Sequence, residues 1–179
     1  MKMKTIVVYY SNKGSNKYLA WKISKELSCP IEEIKPRLNI FLLFLMKIHL
    51  GIMPLKQNIE EYDQVILCGP IWMGKFIPPL RSFIKKYNNK LRKLIFVTCC
   101  GSTDDKKYEK FGHGLVFKKV ENMLKDKCIL CQAFPIGLVL PDDQKEDSGA
   151  FMKTHLNDEN FTGEIVSIYN TFISKIKEL

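Results

Sequence analysis

Three stretches of this chain are apolar at nearly every position: Ile6-Val7-Val8-Tyr9-Tyr10, Val65-Ile66-Leu67-Cys68 and Leu94 to Thr98. A strand half-covered by solvent alternates apolar and polar residues, whereas one covered on both faces does not. Between these runs the period changes from continuous to helical. Leu19, Ala20, Ile23 and Leu27 share one face of a stretch from Ser15 to Leu27. Pro78-Pro79 open another, with Leu80, Phe83, Ile84 and Tyr87 at helical spacing, and proline is tolerated in a first helical turn. Leu115–Leu124 turns Val116, Val120, Met123 and Leu124 inward, and Ile165, Ile168, Tyr169, Phe172, Ile173 and Ile176 mark a last helix. Two further strands are expected, a short one from Pro30 to Ile34 and a long one from Cys128 to Leu140, the latter interrupted by Pro135 and Gly137. Strands alternating with helices predict an α/β, three-layer, doubly wound, five-stranded parallel sheet. With 179 residues and no linker or repeat, residues 1–179 are expected to form one domain.

The formal net charge is +9. That suits an acidic partner, but the lysines are dispersed and no aromatic-interleaved basic cluster suggests base stacking, so no nucleic-acid role is expected. A strand-like start argues against a signal peptide, and six cysteines inside or beside apolar runs read as free thiols in a reduced, cytoplasmic setting. Cys128 and Cys131 spell C-x-x-C. Residues three apart on a regular strand face opposite ways, so the pair reads as core filler, and no metal site is expected.

Leu38–Leu55 is the unusual stretch. It is apolar almost all round, broken by Lys47 and His49, yet too short for a membrane span of about 20 apolar residues. A buried second crossover, a homodimer contact and docking on a membrane surface or lipophilic substrate all remain open.

In open α/β sheets ligands bind beyond the carboxyl ends of the strands, where strand order reverses. Three distinctive loops converge there. The first, Ser11-Asn12-Lys13-Gly14-Ser15-Asn16, enters a helix whose unpaired first-turn N–H groups and dipole favour an anion such as phosphate. The second runs through Pro70-Ile71-Trp72-Met73-Gly74-Lys75, and a tryptophan there suits stacking on a planar ring. The third begins Cys99-Cys100-Gly101 and carries Tyr108, Phe111 and His113.

Taken together these loops resemble those of the flavodoxin family, over essentially the whole chain. YYSNKGSNKYLAWKI is similar to the family's entry strand and phosphate loop. GPIWMGKFIPPLRSFI is similar to its tryptophan loop, and CCG with YEKFGHG to its third loop. The resemblance implies a sheet order of 2-1-3-4-5, and FMN as cofactor at its switch point, the placement for which flavodoxin is the standard example. It implies that Ser11, Asn12, Lys13, Gly14, Ser15 and Asn16 hold the phosphate. Pro70, Ile71, Trp72, Met73, Gly74 and Lys75 would line one side of the ring, with Trp72 covering a face and Gly74 permitting a peptide to turn over. Cys99, Cys100, Gly101 and Tyr108 would line the other, with Phe111 or His113 as alternative stacking groups. Lys13 and Asn16 depart from the usual S-x-T-G-x-T, and the basic charge departs from the family's acidic habit.

Two functions follow as expectations. One is electron transfer between redox protein partners, acidic ones suiting the charge of this chain. The other is an FMN-dependent NAD(P)H or quinone oxidoreductase, including the protoporphyrinogen-oxidase-like members, acting on a lipophilic acceptor. No catalytic acid, base or nucleophile stands out.

Overall fold

The computed structural model describes residues 3–38, 51–145 and 147–179. Five strands form one parallel sheet: β1 (Thr5–Tyr9), β2 (Ile31–Glu33), β3 (Gln64–Cys68), β6 (Lys93–Cys100) and β7 (Cys128–Pro135). Their spatial order is β2-β1-β3-β6-β7. A two-residue-per-strand hairpin, β4 (Ile71–Trp72) and β5 (Lys75–Phe76), is inserted after β3. The sheet strands are thus the expected five, in the expected order, with the hairpin as an addition.

The apolar runs sit where two-sided burial requires them. Val7, Ile66 and Ile95 are in register across β1, β3 and β6 and are fully buried. They face helices α1 (Ser15–Leu27) and α5 (Glu164–Glu178), with Leu19, Ile23, Phe172 and Ile176. Ile6, Val8, Leu67, Leu94 and Phe96 point the other way, toward α2 (Pro78–Tyr87) and α3 (His113–Leu124), with Leu80, Phe83, Val116 and Val120. Each such side chain stabilises by about 1.5–3 kcal/mol relative to exposure, so the two faces anchor the three central strands beneath the loops. A short helix, α4 (Ser148–Lys153), completes the set; the periodicity did not reveal it. Among the described residues no helix is long and apolar enough to cross a membrane.

Several boundaries differ from expectation, and β6 runs on past Thr98 to Cys100. The second strand is trimmed to Ile31–Glu33. The third helix starts two residues early, at His113. The long strand stops at Pro135 and gives way to a 3-10 turn, Ile136–Val139, because proline offers no N–H to continue a ladder. Of the apolar stretch Leu38–Leu55, residues 39–50 lie outside the described set. Its end is extended rather than helical: Ile52 bridges Pro36, the Met53 N–H reaches the Lys35 carbonyl at 2.8 Å, and Ile52 is buried.

The expectation that Cys128 and Cys131 face opposite ways is overturned by a register shift. Leu94 faces Cys128, but Ile95 faces Leu130 and Phe96 faces Cys131. One extra residue is accommodated in β7, so parity changes within the motif. Cys128 and Cys131 therefore share the α2/α3 face, as Leu94 and Phe96 do, and their sulfurs lie 3.7 Å apart.

Candidate functional site

The loops after β1, β3 and β6 meet at one edge of the sheet. In the first, Gly14 adopts φ +104°, a value costly to any residue with a Cβ. Its N–H donates to Ser11 Oγ at 3.1 Å, which leaves the Ser11 hydroxyl its own proton to donate. Among the described residues nothing lies within 4 Å of where a Gly14 Cβ would stand. The helix α1 starts there without any side-chain cap. Its first N–H groups therefore have no intrahelical partner, and the dipole is positive at this end.

Lys13 and Asn12 are exposed on the outside of this loop, whereas Ser15 and Asn16 are buried. The Ser15 hydroxyl accepts the Leu156 N–H at 3.1 Å. Asn16 is turned toward the strand ends: its Oδ1 accepts the Cys99 N–H at 2.8 Å and its amide donates to the Cys99 carbonyl at 3.4 Å. The side-chain amide of Asn16 thus ties α1 to β6, and as a first-turn residue it keeps a backbone N–H with no intrahelical partner.

The second loop is the hairpin. Gly69 and Pro70 are buried beneath it, with the Leu80 side chain 2.7 Å from where a Gly69 Cβ would stand. Met73 at φ +50° and Gly74 at φ +66° give two successive left-handed residues, as a tight two-residue hairpin turn demands. Ile71 and Trp72 are half-buried and pack on the α2/α3 side of the core. Met73 is 65% exposed at the tip, beside exposed Lys75. The turn leans on the third loop: a Cβ on Gly74 would stand 2.6 Å from the Lys110 carbonyl oxygen and 2.8 Å from Phe111 Cα.

The third loop folds around His113. Its Nδ1 is 2.9 Å from Ser102 Oγ, its Nε2 is 3.2 Å from Asp104 Oδ1, and its backbone N–H donates to the same Ser102 oxygen at 3.1 Å. The ring is 2% exposed and packs against Phe117. Burial pulls its pKa below the ordinary 6.5, with Asp104 opposing that pull. Cys99 and Cys100 end β6 in the floor of the site. Burial raises both thiols, Cys100 to about 12 and Cys99 well above its usual range, so both are protonated, unreactive groups at neutral pH. Gly101 is exposed just beyond them. Tyr108 is 58% exposed, and its ring lies over Gly114 with the Lys118 ammonium 4.8 Å from the centroid. It therefore rests on the outer surface of α3. Phe111, 55% exposed, carries the stretch that abuts Gly74.

A fourth contributor escaped the sequence reading. Residues 148–156 lie against the first loop: the Lys13 ammonium donates to the Met152 carbonyl at 2.8 Å, beside the Ser15–Leu156 hydrogen bond. Phe151 of α4 packs on Gly137, with a ring carbon 4.0 Å from where a Gly101 Cβ would stand. The one local signal for α4 is Asp147, whose carboxylate caps the helix by accepting the Gly149 N–H at 2.7 Å.

The sequence model of a family described as a flavodoxin domain matches residues 47–139, more than half of the chain, including the second and third loops. No curated protein matches. Among solved structures, a flavoprotein in complex with FMN from Lactobacillus acidophilus NCFM aligns at 18% identity and TM-score 0.59, over 73% of this chain and 93% of that one. The apo-form of the flavoprotein from the same organism aligns at 18% identity and TM-score 0.55, over 74% and 91%. An azoreductase, AzrA, aligns at 12% identity and TM-score 0.50, over 97% and 98%. At these identities the likeness is one of fold.

Proposed function

The chain belongs to the flavodoxin domain family, and from that membership we propose that it binds FMN where its three loops meet and passes electrons between redox protein partners. The residues fit such a cofactor. An uncapped helix start, an open position over Gly14 and the proton-bearing Ser11 hydroxyl suit a phosphate. That uncapped start, set beside two further loops at the same sheet edge, is the observation that carries the reading. FMN, when bound, supplies the redox chemistry, and the protein supplies binding, orientation and electrostatics.

The chain's own residues divide the work. The α1 N–H groups and Ser11 would hold the phosphate, with Asn12 and Lys13 at its solvent side. Trp72 and the Gly74 turn would border the ring on the hairpin side. Cys99 and Cys100 would form an uncharged floor, and Phe151 joins Gly101 as a border not foreseen from the sequence. The lysines around the mouth, Lys13, Lys75, Lys107 and Lys110, favour added negative charge nearby. They also suit acidic docking partners, which would approach through exposed Met73 and Phe111.

A carrier is preferred to an oxidoreductase that protonates its acceptor through a histidine, because His113 of the third loop is buried and engaged at both ring nitrogens and is not presented to a substrate. The test is reduction of the FMN-loaded protein under anaerobic conditions. The proposal expects slow bleaching by NADH or NADPH alone and fast bleaching once a flavodoxin reductase is added. Fast bleaching by NAD(P)H alone, with turnover on a quinone, would establish the oxidoreductase instead.

A further inference from the structure

C-x-x-C is a sequence motif that the cofactor site does not absorb. Its two cysteines lie on β7, the edge strand of the sheet, and both are half-buried. The register shift puts them opposite Leu94 and Phe96, two strand positions apart on the neighbour. That spacing is about 6.6 Å of strand rise, inside the roughly 4.4–6.8 Å that disulfide-bonded Cα atoms span. The sulfurs are already 3.7 Å apart and must close to about 2.0 Å, a change side-chain rotation can supply. The other four cysteines are placed differently. Cys68, Cys99 and Cys100 are buried in the core, with their thiols raised by burial, and Cys29 is half-buried but packs on the opposite face of the sheet.

We propose that Cys128 and Cys131 are a redox-active dithiol that exchanges reversibly with low-molecular-weight disulfides. The Cys128 thiolate attacks one sulfur of the small disulfide, whose S–S bond breaks and releases one thiol. The Cys131 sulfur then attacks Cys128, the mixed S–S bond breaks, and a second thiol leaves. Two protein thiols lose two electrons to form one disulfide, the small disulfide is reduced to two thiols, and the two cysteine protons go to the released thiolates. The two sulfurs are in contact and either can donate; that contact favours the Cys128 thiolate, while the contact and burial push the Cys131 thiol up, so Cys128 is taken as the attacking member. Glu121 of α3 opposes ionisation at both positions and so slows the exchange without reversing the order.

The experiment uses the full chain with glutathione disulfide as probe, followed by alkylation, intact mass and peptide mapping. The proposal expects wild type to lose two of its six thiols, with the bond mapped within residues 128–131 and reversed by dithiothreitol. Cys131→Ser should accumulate a glutathione adduct at Cys128, and Cys128→Ser should form none at Cys131 at the same rate. Wild type keeping all its thiols while a control dithiol oxidises would overturn the proposal. So would a disulfide mapped to other cysteines, or wild type stopping at the glutathione adduct. The wild-type arm decides the matter whether or not a variant folds.

Discussion

Asn16 Oδ1 accepts the Cys99 backbone N–H at 2.8 Å, and the same side chain returns a bond to the Cys99 carbonyl at 3.4 Å. A residue in the first turn of α1 thus completes the ladder of β6 where its partner strand ends. Two of the three loops at the mouth are held in one frame by this pair. The Cys68 thiol also reaches the Asn16 carbonyl at 3.3 Å, which draws in β3.

Asn16→Ala leaves the buried Cys99 N–H without its acceptor. Such a group costs about 1–3 kcal/mol. Urea unfolding of the cofactor-free protein should show a loss in that range, with an unchanged m-value. A loss below about 0.5 kcal/mol, the level of an ordinary surface substitution, would mean that the Asn16–Cys99 pair does not hold the loops.

Gly74 tests the join between the hairpin and the third loop. Its left-handed φ and its contact with the Lys110–Phe111 backbone both exclude a Cβ. Backbone atoms cannot rotate away as side-chain ends can. A left-handed residue alone costs about 1–2 kcal/mol, so Gly74→Ala should destabilise by at least that much and weaken flavin binding together with it. Met73 has a similar φ of +50° without being glycine, so Met73→Gly should leave stability unchanged or raise it. Thermal melts of both variants check the pair of expectations.

His113 gives stability a pH dependence of defined sign. Its folded pKa is lowered, chiefly by burial, with Asp104 raising and Lys107 lowering it. The Cys100 thiol, 3.8 Å from Nδ1, is protonated in this range. Between the folded value and 6.5 the unfolded chain binds more protons than the folded one, so stability falls as pH drops through that window. Above pH 6.5 the contribution is complete. Denaturation midpoints from pH 7.5 to 5 should fall for wild type and fall less for His113→Gln. An identical slope in the variant would assign the acid sensitivity to other groups.

The sheet was legible because burial on both faces writes itself into consecutive positions. Ile6–Tyr10, Val65–Cys68 and Leu94–Thr98 all became central strands. The three loops were legible from glycine, hydroxyl and aromatic content at strand ends. What was hidden depended on partners far away in sequence. Asn16 looks like a loop amide until Cys99 is placed 2.8 Å from it. Tyr108 is an aromatic on the expected loop, but packing over Gly114 directs its ring along α3. The segment around Phe151 has a helix too short for periodicity to register. The C-x-x-C parity turned on one extra residue in β7, which strand pairing determines and the local pattern does not.

The central claim is that the open position at the start of α1 holds the phosphate of FMN. Titration of cofactor-free protein with FMN and, separately, with riboflavin, followed by quenching of flavin fluorescence, tests it directly. Charged hydrogen bonds contribute about 1.5–3 kcal/mol each, and about 1.4 kcal/mol is tenfold in affinity. FMN should therefore bind at one per chain and at least about tenfold more tightly than riboflavin. Equal affinity for the two flavins, or binding of neither, would contradict the account.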